Sequence, residues 1–467
     1  MKQIKIIAII LFSALAGSCG SDYLDPAPKS AIGSNGFYTN PEEIEAAVVN
    51  MYDGLQLAVQ EEWALTEMRS DNSKTRSSEG VWAEFEDINV QPTNSVSADY
   101  WALFYNVIFR TNTVLDNLDA AGSSAAKFEG EAKFVRALSY FNLVRLYGDV
   151  PLIDKVITQD DKEYLDRDAK ADVYALIISD LQTAIQNLDN QYKGRASKAA
   201  AQALLAKVYL TLGTNYSDAQ LLCEAVLNPA SGYTLQTNYN DIFYNEGNSE
   251  IIFAIEYQEN LANDAQTFSL EFTYNGRVRG LNYATDELVT ALTDFGGTAR
   301  TATSVISEDG SGVDTTVPAD IRNYRCGKFV GTPVSNPLAG NDWIVLRLAD
   351  VYLMHVEAIM AGGSETSAST ARNSFNEIRL RAGMPIINAP NPVTKLDLAN
   401  ERRVELAFEN HRWFDLVRLG LAETVLAQFA ADNAAEGVSY TSTDLLLPIP
   451  QREIGVSFGL LTQNPGY

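Results

Sequence analysis

Cysteine and histidine are scarce in this chain, which has three cysteines and two histidines among 467 residues. Cys19 lies near the N-terminus, so only Cys223 and Cys326 remain for the rest of the chain. This count excludes a disulfide scaffold, and stability must come from a hydrophobic core. His355 and His411 both lie in helical patterns, where we expect packed side chains and not general bases.

Several enzyme motifs are also missing. HExxH, CxxC and GxxxxGK(S/T) do not occur, so zinc hydrolysis and P-loop chemistry lack their signatures. The sixty acidic residues produce many accidental carboxylate pairs, so a secreted glycosidase stays an open alternative. We expect a protein that is not an enzyme and that needs no cofactor.

Basic residues are few, because thirty-five lysines and arginines face sixty acidic residues and leave a net charge of −25. This charge repels nucleic acid and anionic lipid headgroups, so we expect no nucleic-acid partner and favour neutral ligands over polyanions. Apolar residues make up 46% of the chain and aromatic residues 10%, which indicates a globular protein. Length alone allows two or three domains.

Long hydrophobic runs are absent beyond the N-terminus. There, two lysines precede an apolar stretch from Ile6 to Ala16, which is too short to span a bilayer comfortably and is typical of a secretion signal. The small residues before Cys19 resemble a bacterial lipobox, although the usual leucine sits one place early, at Leu15. We predict a lipoprotein signal at residues 1–18, lipidation of Cys19 and an anchored linker at residues 19–34.

A repeated spacing indicates that residues 35–467 form one mainly α-helical domain. In four segments a small or apolar residue precedes a tyrosine by three places, and a second amphipathic stretch follows. Tetratricopeptide (TPR) repeats use this spacing to pack two helices closely. The pattern predicts four helix pairs, around residues 41–118, 131–188, 197–228 and 345–382. The four residue pairs are Val49/Tyr52, Ala137/Tyr140, Ala206/Tyr209 and Ala349/Tyr352.

Two loop inserts, at residues 60–98 and 231–343, separate these helices. Both are rich in Ser, Asn, Gly, Asp and aromatic residues, and the second contains the β-like runs Ile251–Ile255 and Phe268–Tyr274. Glu308, Asp309 and Asp314 lie in a Gly/Ser-rich loop, but no glutamate closes an EF-hand spacing, so we expect no metal. Binding sites usually lie on such loops carried by a rigid helical frame.

Charged and bulky residues alternate in the run ERRVELAFENHRWFDLVRLG at residues 401–420. At about 100° per residue, Arg402, Glu405, Glu409 and Arg412 share one stripe, and apolar residues occupy the other sides. A helix with apolar residues on several sides is buried, so we expect one internal helix. Its charges must pair along the stripe or with other helices. A buried ionic network is favoured over a catalytic carboxylate.

The polar loop RSDNSKTRSSEGVWAEFEDIN at residues 69–89 contains the groups that sugar binding needs. Asp71 and Asn72 are candidates for paired hydrogen bonds to adjacent hydroxyls, Arg76 for donation to sugar oxygens, and Trp82 for stacking on a sugar ring. Two alternatives stay open. In the first, the side chains of Asp71 and Asn72 satisfy hydrogen bonds of the loop backbone instead. In the second, Trp82 forms a small core beneath the loop.

The second insert supplies further candidates. Tyr274 and Tyr283 flank NGRVRGLN, in which Arg277 and Arg279 offer hydrogen-bond donors. Each aromatic taken singly is more often structural than ligand-binding. Three other tryptophans lie in framework segments and are expected in the core: Trp101, Trp343 and Trp413.

In the order and spacing of its segments, the chain resembles the SusD/RagB family of surface lipoproteins. The resemblance begins at Cys19 and runs through SDYLDPAPKS, FYTNPEEIEAAVVNMYDGL, RSDNS and YWALFYNVIFRTNTVLDNL. It continues through EAKFVRALSYFNLVRLYGDVPL, RLADVYLMHVEA and NEIRLRAGM, and it closes with the 401–420 run, LLPIPQREI and QNPGY. It therefore covers the chain from end to end. The departures are the shifted Leu15 and Phe329, where the family often has tyrosine.

This resemblance implies a lipid-anchored, surface-exposed binding protein of the outer membrane that captures oligosaccharide. Its TPR-like units would pack against a partner TonB-dependent β-barrel transporter of the SusC type, and its glycan site would lie on the opposite, loop-bearing face. Family members place ligand-contacting Asp, Arg and Trp in the segment that here holds Asp71, Arg76 and Trp82. Because ligands vary within the family, the alternative is a lid or scaffold subunit whose cargo is peptide or another nutrient.

Overall fold

A computed structural model describes residues 36–76, 80–158, 160–191, 194–273, 280–307 and 324–467. This described part is mainly helical, as the sequence predicts. The helices, in chain order, are α1 Pro41–Ala58, α2 Glu62–Thr66, α3 Gly80–Glu86, α4 Ser95–Asp116, α5 Ala125–Tyr147, α6 Lys170–Asn187, α7 Lys198–Leu212, α8 Tyr216–Leu227, α9 Asp241–Tyr244, α10 Phe268–Glu271, α11 Asp286–Ala291, α12 Thr298–Ser304, α13 Leu348–Met360, α14 Ser369–Arg381, α15 Lys395–Glu405, α16 Arg412–Arg418, α17 Ala422–Asp432 and α18 Gln451–Val456.

Helix pairs form the scaffold. Helix α1 packs against α4, α5 against α6, α7 against α8, and α13 against α14. Contacts of α4 with α5, α6 with α7, and α8 with α13 join successive pairs into one TPR-like array. Ala137, Ala206 and Ala349 are fully buried, as close helix crossings require. In the first pair the pattern is shifted by one residue, because Val49 is 54% exposed and Val48 takes the buried position.

Local capping determines where the scaffold helices begin and end. The side chain of Asn40 accepts a hydrogen bond from the Glu43 amide at 3.0 Å, and Pro41 occupies the first turn of α1. The Ser197 hydroxyl accepts from the Ala200 amide at 3.1 Å and begins α7. That helix ends at Gly213, whose φ of 65° lies in the left-handed region that glycine adopts readily.

The strands are short, and half of those in the described residues lie within the second insert. They are β1 Ser73–Lys74, β2 Ile251–Ile255, β3 Tyr283–Ala284, β4 Val305–Ser307, β5 Tyr324–Cys326, β6 Trp343–Arg347, β7 Glu365–Thr366 and β8 Val393–Thr394. The predicted strand Ile251–Ile255 is present and pairs with β6. The prediction of a β-strand starting at Phe268 is wrong. Phe268 and Phe272 are both buried and four residues apart, which is the spacing of one helix face, and Phe268 begins α10.

The 401–420 run is not one helix. Helix α15 ends at Glu405 and α16 begins only at Arg412. Between them Phe408 and Asn410 both have a φ of 64°, a left-handed conformation that cannot continue a right-handed helix. The prediction of a single internal helix is therefore wrong, whereas its burial is confirmed, because Trp413 is fully buried.

The charges of this run pair across helices. Arg402 bonds Asp350 at 2.8 Å, and Glu405 accepts from Arg347 at 2.6 Å and from Arg300 at 2.9 Å. Burial raises the pKa of the Glu405 carboxyl, but the surrounding arginines outweigh burial and hold that pKa well below its usual range. Pairing along the stripe is therefore wrong, and the inter-helix alternative is correct. The network ties α15 to elements that are distant in sequence.

One main hydrophobic core extends from Ile44 to Leu461, and a smaller one lies between α13 and α14. Cys223 and Cys326 are buried in the main core as free thiols. In the part of the chain that the structure describes, no helix combines the length and apolarity needed to cross a membrane. The three framework tryptophans are buried, as predicted: Trp101, Trp343 and Trp413.

Candidate functional site

A four-stranded antiparallel sheet brings the two loop inserts together. Its strand order is β1-β3-β5-β4, in which β1 belongs to the first insert and the other strands to the second. The sequence could not show this neighbourhood, because the strands have two or three residues each. The loops predicted to carry the site are therefore adjacent in space.

The sheet register defines one row of side chains. Lys74 lies opposite Tyr283, Tyr283 opposite Arg325, and Arg325 opposite Ile306. Directly paired residues of an antiparallel sheet project from the same face, so these four form what we call the outer row. The other face of the sheet packs into the main core through buried Ala284, Val305, Tyr324 and Cys326.

Gly280 closes the loops over this row. The Arg76 amide donates to the Gly280 carbonyl at 3.1 Å, which links the first insert to the second. Gly280 has a φ of 107°, and a Cβ there would lie 2.3 Å from the Tyr283 ring, so only glycine fits. Tyr283 is 1% exposed, and Gly280 packs closely against its ring. Its predicted ligand contact stays a prediction, and it would require the Gly280 segment to move.

Asp71 and Asn72 lie below the surface. Asp71 is 3% exposed, and its carboxylate accepts from Arg412 at 2.7 and 2.8 Å and from Arg403 at 3.0 Å. The Asn72 amide donates to Glu67 at 2.9 Å and accepts from Arg403 at 2.8 Å. Direct sugar contact by these two residues stays untested. Their burial supports a structural role, but these side chains bond the side chains of Arg403, Arg412 and Glu67 and not the loop backbone, which the alternative predicted.

The electrostatics of Asp71 agree with a fixed ion pair. Burial raises the pKa of its carboxyl, but Arg403 and Arg412 outweigh burial and lower the pKa to about 2. The carboxylate therefore stays charged and paired at any physiological pH. Asp71 anchors the start of β1 through two groups. Its carboxylate pairs with the arginines, and its backbone carbonyl accepts a hydrogen bond from the Thr285 hydroxyl at 2.7 Å.

Trp82 lies at the end of an aromatic stack. Its ring lies 5.3 Å from that of Trp63 at an interplanar angle of 14°, and Trp63 meets Phe272 edge-on at 5.4 Å. Trp63 is 1% exposed and Trp82 8% exposed. This position matches the alternative of a core beneath the loop, and it leaves little of the Trp82 surface open to a ligand. Arg76, which precedes Trp82 in the same loop, is half-buried.

Other predicted residues fall outside the described ranges. Tyr274, Arg277 and Arg279 lie between the described residues Thr273 and Gly280, and the acidic loop at residues 308–314 lies between Ser307 and Tyr324. Among the described residues, no group of three or more His, Cys, Asp or Glu side chains is placed to hold a metal ion.

Residues 455–459, GVSFG, match the GxSxG pattern of serine hydrolases. The structure does not place Ser457 on the strand-to-helix turn that the pattern requires, because it follows α18. Ser457 is 2% exposed, donates to the Ile454 carbonyl at 2.9 Å and accepts from the Leu461 amide at 3.1 Å. Its hydroxyl is therefore part of a turn.

The two histidines are packed side chains, as predicted. Burial lowers the pKa of His411 to about 3. His355 Nδ1 lies 2.8 Å from the Ser374 hydroxyl, and burial also lowers its pKa. Neither histidine bonds Ser457 in the described structure, so they do not form a serine–histidine pair.

The structure also reveals residues that sequence reasoning missed. Arg325 and Lys74 stand in the outer row, and Tyr244 of α9 lies beside the same sheet. A lone arginine in the short run YRC and a lysine in a polar loop give no signal of their own. Only the strand pairing shows that they share a face with Tyr283.

Comparison with known proteins gives the same fold. The chain matches the SusD family over residues 257–467, and it matches a family described as starch-binding and associating with the outer membrane over residues 22–210. The chain belongs to the SusD/RagB family. This membership confirms the resemblance read from the motifs.

Relatives of this family cover nearly the whole chain. A SusD-like protein of Bacteroides ovatus is 29% identical over 88% of this chain and 82% of its own length. The SusD-like protein P25 of Formosa agariphila is also 29% identical, over 99% of this chain and 100% of its own. Among solved structures, a laminarin-binding SusD-like protein is 27% identical with a TM-score of 0.76, covering 92% of this chain and 100% of that one.

Proposed function

We propose that this protein binds an oligosaccharide at the cell surface and delivers it to a partner TonB-dependent transporter of the SusC type. The observation that carries the proposal is its likeness to the laminarin-binding SusD-like protein, which extends over 92% of the chain at 27% identity. The mechanism is binding and gating, with no covalent step.

The proposed site is the outer row together with the loops that meet over it. Sugar binding uses flat apolar ring faces and planar donors that pair with hydroxyls. Arg76 and the small exposed part of Trp82 are the proposed sources of these groups where the two loops meet, a place we call the rim, and Tyr274 and Tyr283 are the proposed aromatic partners from the second insert. The backbone bond between Arg76 and Gly280 keeps both loops at the same place.

Asp71 and Asn72 act in this proposal mainly as anchors. Their bonds to Arg403 and Arg412 fix the residues that precede Arg76, because β1 follows directly. A rim held by a buried ion pair loses little conformational entropy when a ligand binds. This gives the deeply buried polar residues of the loop a role in affinity without ligand contact.

Attachment to the outer membrane is the second part of the proposal. Removal of residues 1–18 and lipidation of Cys19 would leave residues 19–34 as a tether and the domain exposed at the surface. The family description that mentions association with the outer membrane supports this location. The TPR-like pairs would then face the transporter, and the loop-bearing side would face the incoming ligand.

A glycan array followed by calorimetry tests the binding role. The soluble protein lacking residues 1–19 is applied to neutral and acidic oligosaccharides, and any class that binds is titrated into wild type and Trp82→Ala. We expect one class of oligosaccharide to bind to wild type and to bind more weakly to Trp82→Ala. We also expect the protein to release no new reducing ends from the bound glycan. Wild type that binds no glycan but does bind peptides would instead support the lid or scaffold alternative with peptide cargo.

A further inference from the structure

A cleft of about 300 Å³ lies beside β4 and β5, at one end of the outer row. Asn240, Tyr244, Ile306, Arg325, Thr332 and Val334 line it together with bare backbone at glycines. No carboxylate of a described residue lines this cleft, although the chain has sixty acidic residues. Among the described residues, Arg325 is the one charged residue that lines it.

Arg325 differs from the framework arginines in its partners. Arg300, Arg347 and Arg381 are each held by buried carboxylates. Arg325 donates from Nη1 to the Cys326 carbonyl at 3.2 Å, and its Nε and Nη2 have no partner among the described residues. A guanidinium whose Nε and Nη2 are unpaired among the described residues is suited to a planar anionic acceptor.

The rest of the cleft offers a partly exposed aromatic ring and bare glycine backbone. Tyr244 is 39% exposed, and its hydroxyl donates to the Gly327 carbonyl, which fixes the ring orientation. A Cβ at Gly327 would lie 2.3 Å from the Thr303 carbonyl oxygen, so only glycine allows this close approach. An aromatic ring supplies apolar surface and an arginine supplies hydrogen-bond donors, the two kinds of group that a sugar ligand needs.

The outer row adds a second positive charge. Lys74 and Arg325 project from the same face, two strand spacings apart, which is roughly 10 Å. The net charge of −25 acts against anions at long range, but at physiological salt it is screened beyond about 8 Å. Over shorter distances the local cations dominate.

We propose that the Arg325 cleft binds the anionic substituent of an acidic sugar residue, a carboxylate or a sulfate ester on a pyranose ring. Arg325 pairs with the anion through Nε and Nη2, the Tyr244 ring packs on the sugar, and Asn240 and Thr332 bond its hydroxyls. This inference rests on the proposed glycan-binding function and specifies the ligand class. It replaces the expectation from net charge that the ligand is neutral.

Calorimetry with matched oligosaccharides tests this inference. The soluble protein lacking residues 1–19 is titrated with an oligogalacturonate, a sulfated galactan oligosaccharide and a neutral galactan oligosaccharide of equal length, in low and high salt. The variants are Arg325→Gln, Arg325→Lys and, as a control outside the cleft, Arg372→Gln, whose guanidinium bonds backbone carbonyls. Unfolding midpoints confirm that each variant is folded.

We expect at least one acidic oligosaccharide to bind more tightly than the neutral one, and more weakly at high salt. Arg325→Gln should weaken that binding by about tenfold or more, the value of a charge-assisted hydrogen bond, while Arg325→Lys retains part of it and Arg372→Gln has no effect. The arm that binds distinguishes carboxylate from sulfate.

Three results would overturn the inference. If only neutral oligosaccharides bind, or if Arg325→Gln binds the acidic ligand as well as wild type does, the cleft is not an anion site, although glycan binding itself stands. If no oligosaccharide of any class binds, both this inference and the proposed function fail.

Discussion

Arg412 grips both carboxylate oxygens of Asp71, donating from Nε at 2.7 Å and from Nη2 at 2.8 Å. Arg412 belongs to the charged run at residues 401–420, and Asp71 to the loop predicted to contact sugar. Both side chains are buried. The charged run at residues 401–420 and the loop predicted to contact sugar therefore each contribute one residue to the same ion pair.

Replacing Asp71 with alanine should destabilise the fold. The change leaves Arg412 and Arg403 buried without their carboxylate, which costs about 3–5 kcal/mol for a buried pair. Urea unfolding monitored by fluorescence measures the loss in the free energy of unfolding. Glycan affinity should fall with it, because the loop start loses its anchor.

Asp99→Asn is the matched control for this prediction. Asp99 also pairs with an arginine, Arg452, but both side chains are more than half exposed, so the cost should be about 0–1 kcal/mol. If Asp71→Ala retained wild-type stability and lost only glycan affinity, Asp71 would be a direct ligand contact and the anchor role would be wrong.

Acid should destabilise the fold between about pH 5 and pH 2. Burial raises the pKa of Asp415, but Arg402 and Arg418 outweigh burial and lower it to about 2, as Arg403 and Arg412 do for Asp71. Depressed carboxyl pKa values stabilise the fold above the unfolded value near 4, and this contribution is lost as pH falls toward 2. Each group should contribute about 2 kcal/mol. Circular dichroism between pH 5 and 2 measures this loss, and unchanged stability down to pH 2 would contradict it.

Asp342 should show the opposite pH dependence. Burial raises the pKa of its carboxyl to about 7, and the nearby Glu246 and Glu256 add to the shift. The folded state therefore holds a proton that the unfolded state releases near pH 4, so stability falls as pH rises from about 4 to 7.

Asp342→Asn removes this penalty and keeps an acceptor for the Tyr257 amide, which now bonds Asp342 at 3.0 Å. Thermal melts should show the variant more stable than wild type at pH 8, by at most about 4 kcal/mol before screening at this partly exposed site is counted. At pH 4 the two proteins should melt together. A gain of equal size at both pH values would show that charge is not the cause.

The thiols of Cys223 and Cys326 should not react in the folded protein. Both side chains are buried, and burial raises the pKa of Cys326 to about 12 and that of Cys223 further. A thiol reagent added to the protein lacking residues 1–19 should find no thiol under native conditions and two in denaturant. A fast-reacting native thiol would indicate that the core opens locally.

The scaffold was predictable because its signals are local and repeated. Buried Ala137, Ala206 and Ala349 follow a helical spacing that any window of the sequence contains. The break at Phe408 and Asn410 was not predictable, since neither residue type requires a left-handed backbone. Tertiary ion pairs on both sides of the turn stabilise a conformation that local preference would avoid.

The candidate site was predictable only in part. Composition located the loop that holds Arg76 and Trp82, but it could not distinguish a polar residue that faces solvent from one that faces an arginine. Asp71 is a residue type that often contacts sugars, but it is buried and paired with Arg412, as a structural residue would be. Arg325 was overlooked because its place beside Tyr283 depends on pairing between strands of two or three residues.

The most direct test of the central claim is a calorimetric titration of the best array glycan into wild type, Arg76→Ala and Asp99→Asn. Arg76 lies where the loops meet, and its backbone bond to Gly280 does not depend on its side chain. We expect saturable binding by wild type and Asp99→Asn, and binding weaker by about tenfold or more for a folded Arg76→Ala. Equal affinity in all three proteins would contradict the placement of the glycan site on this face of the sheet.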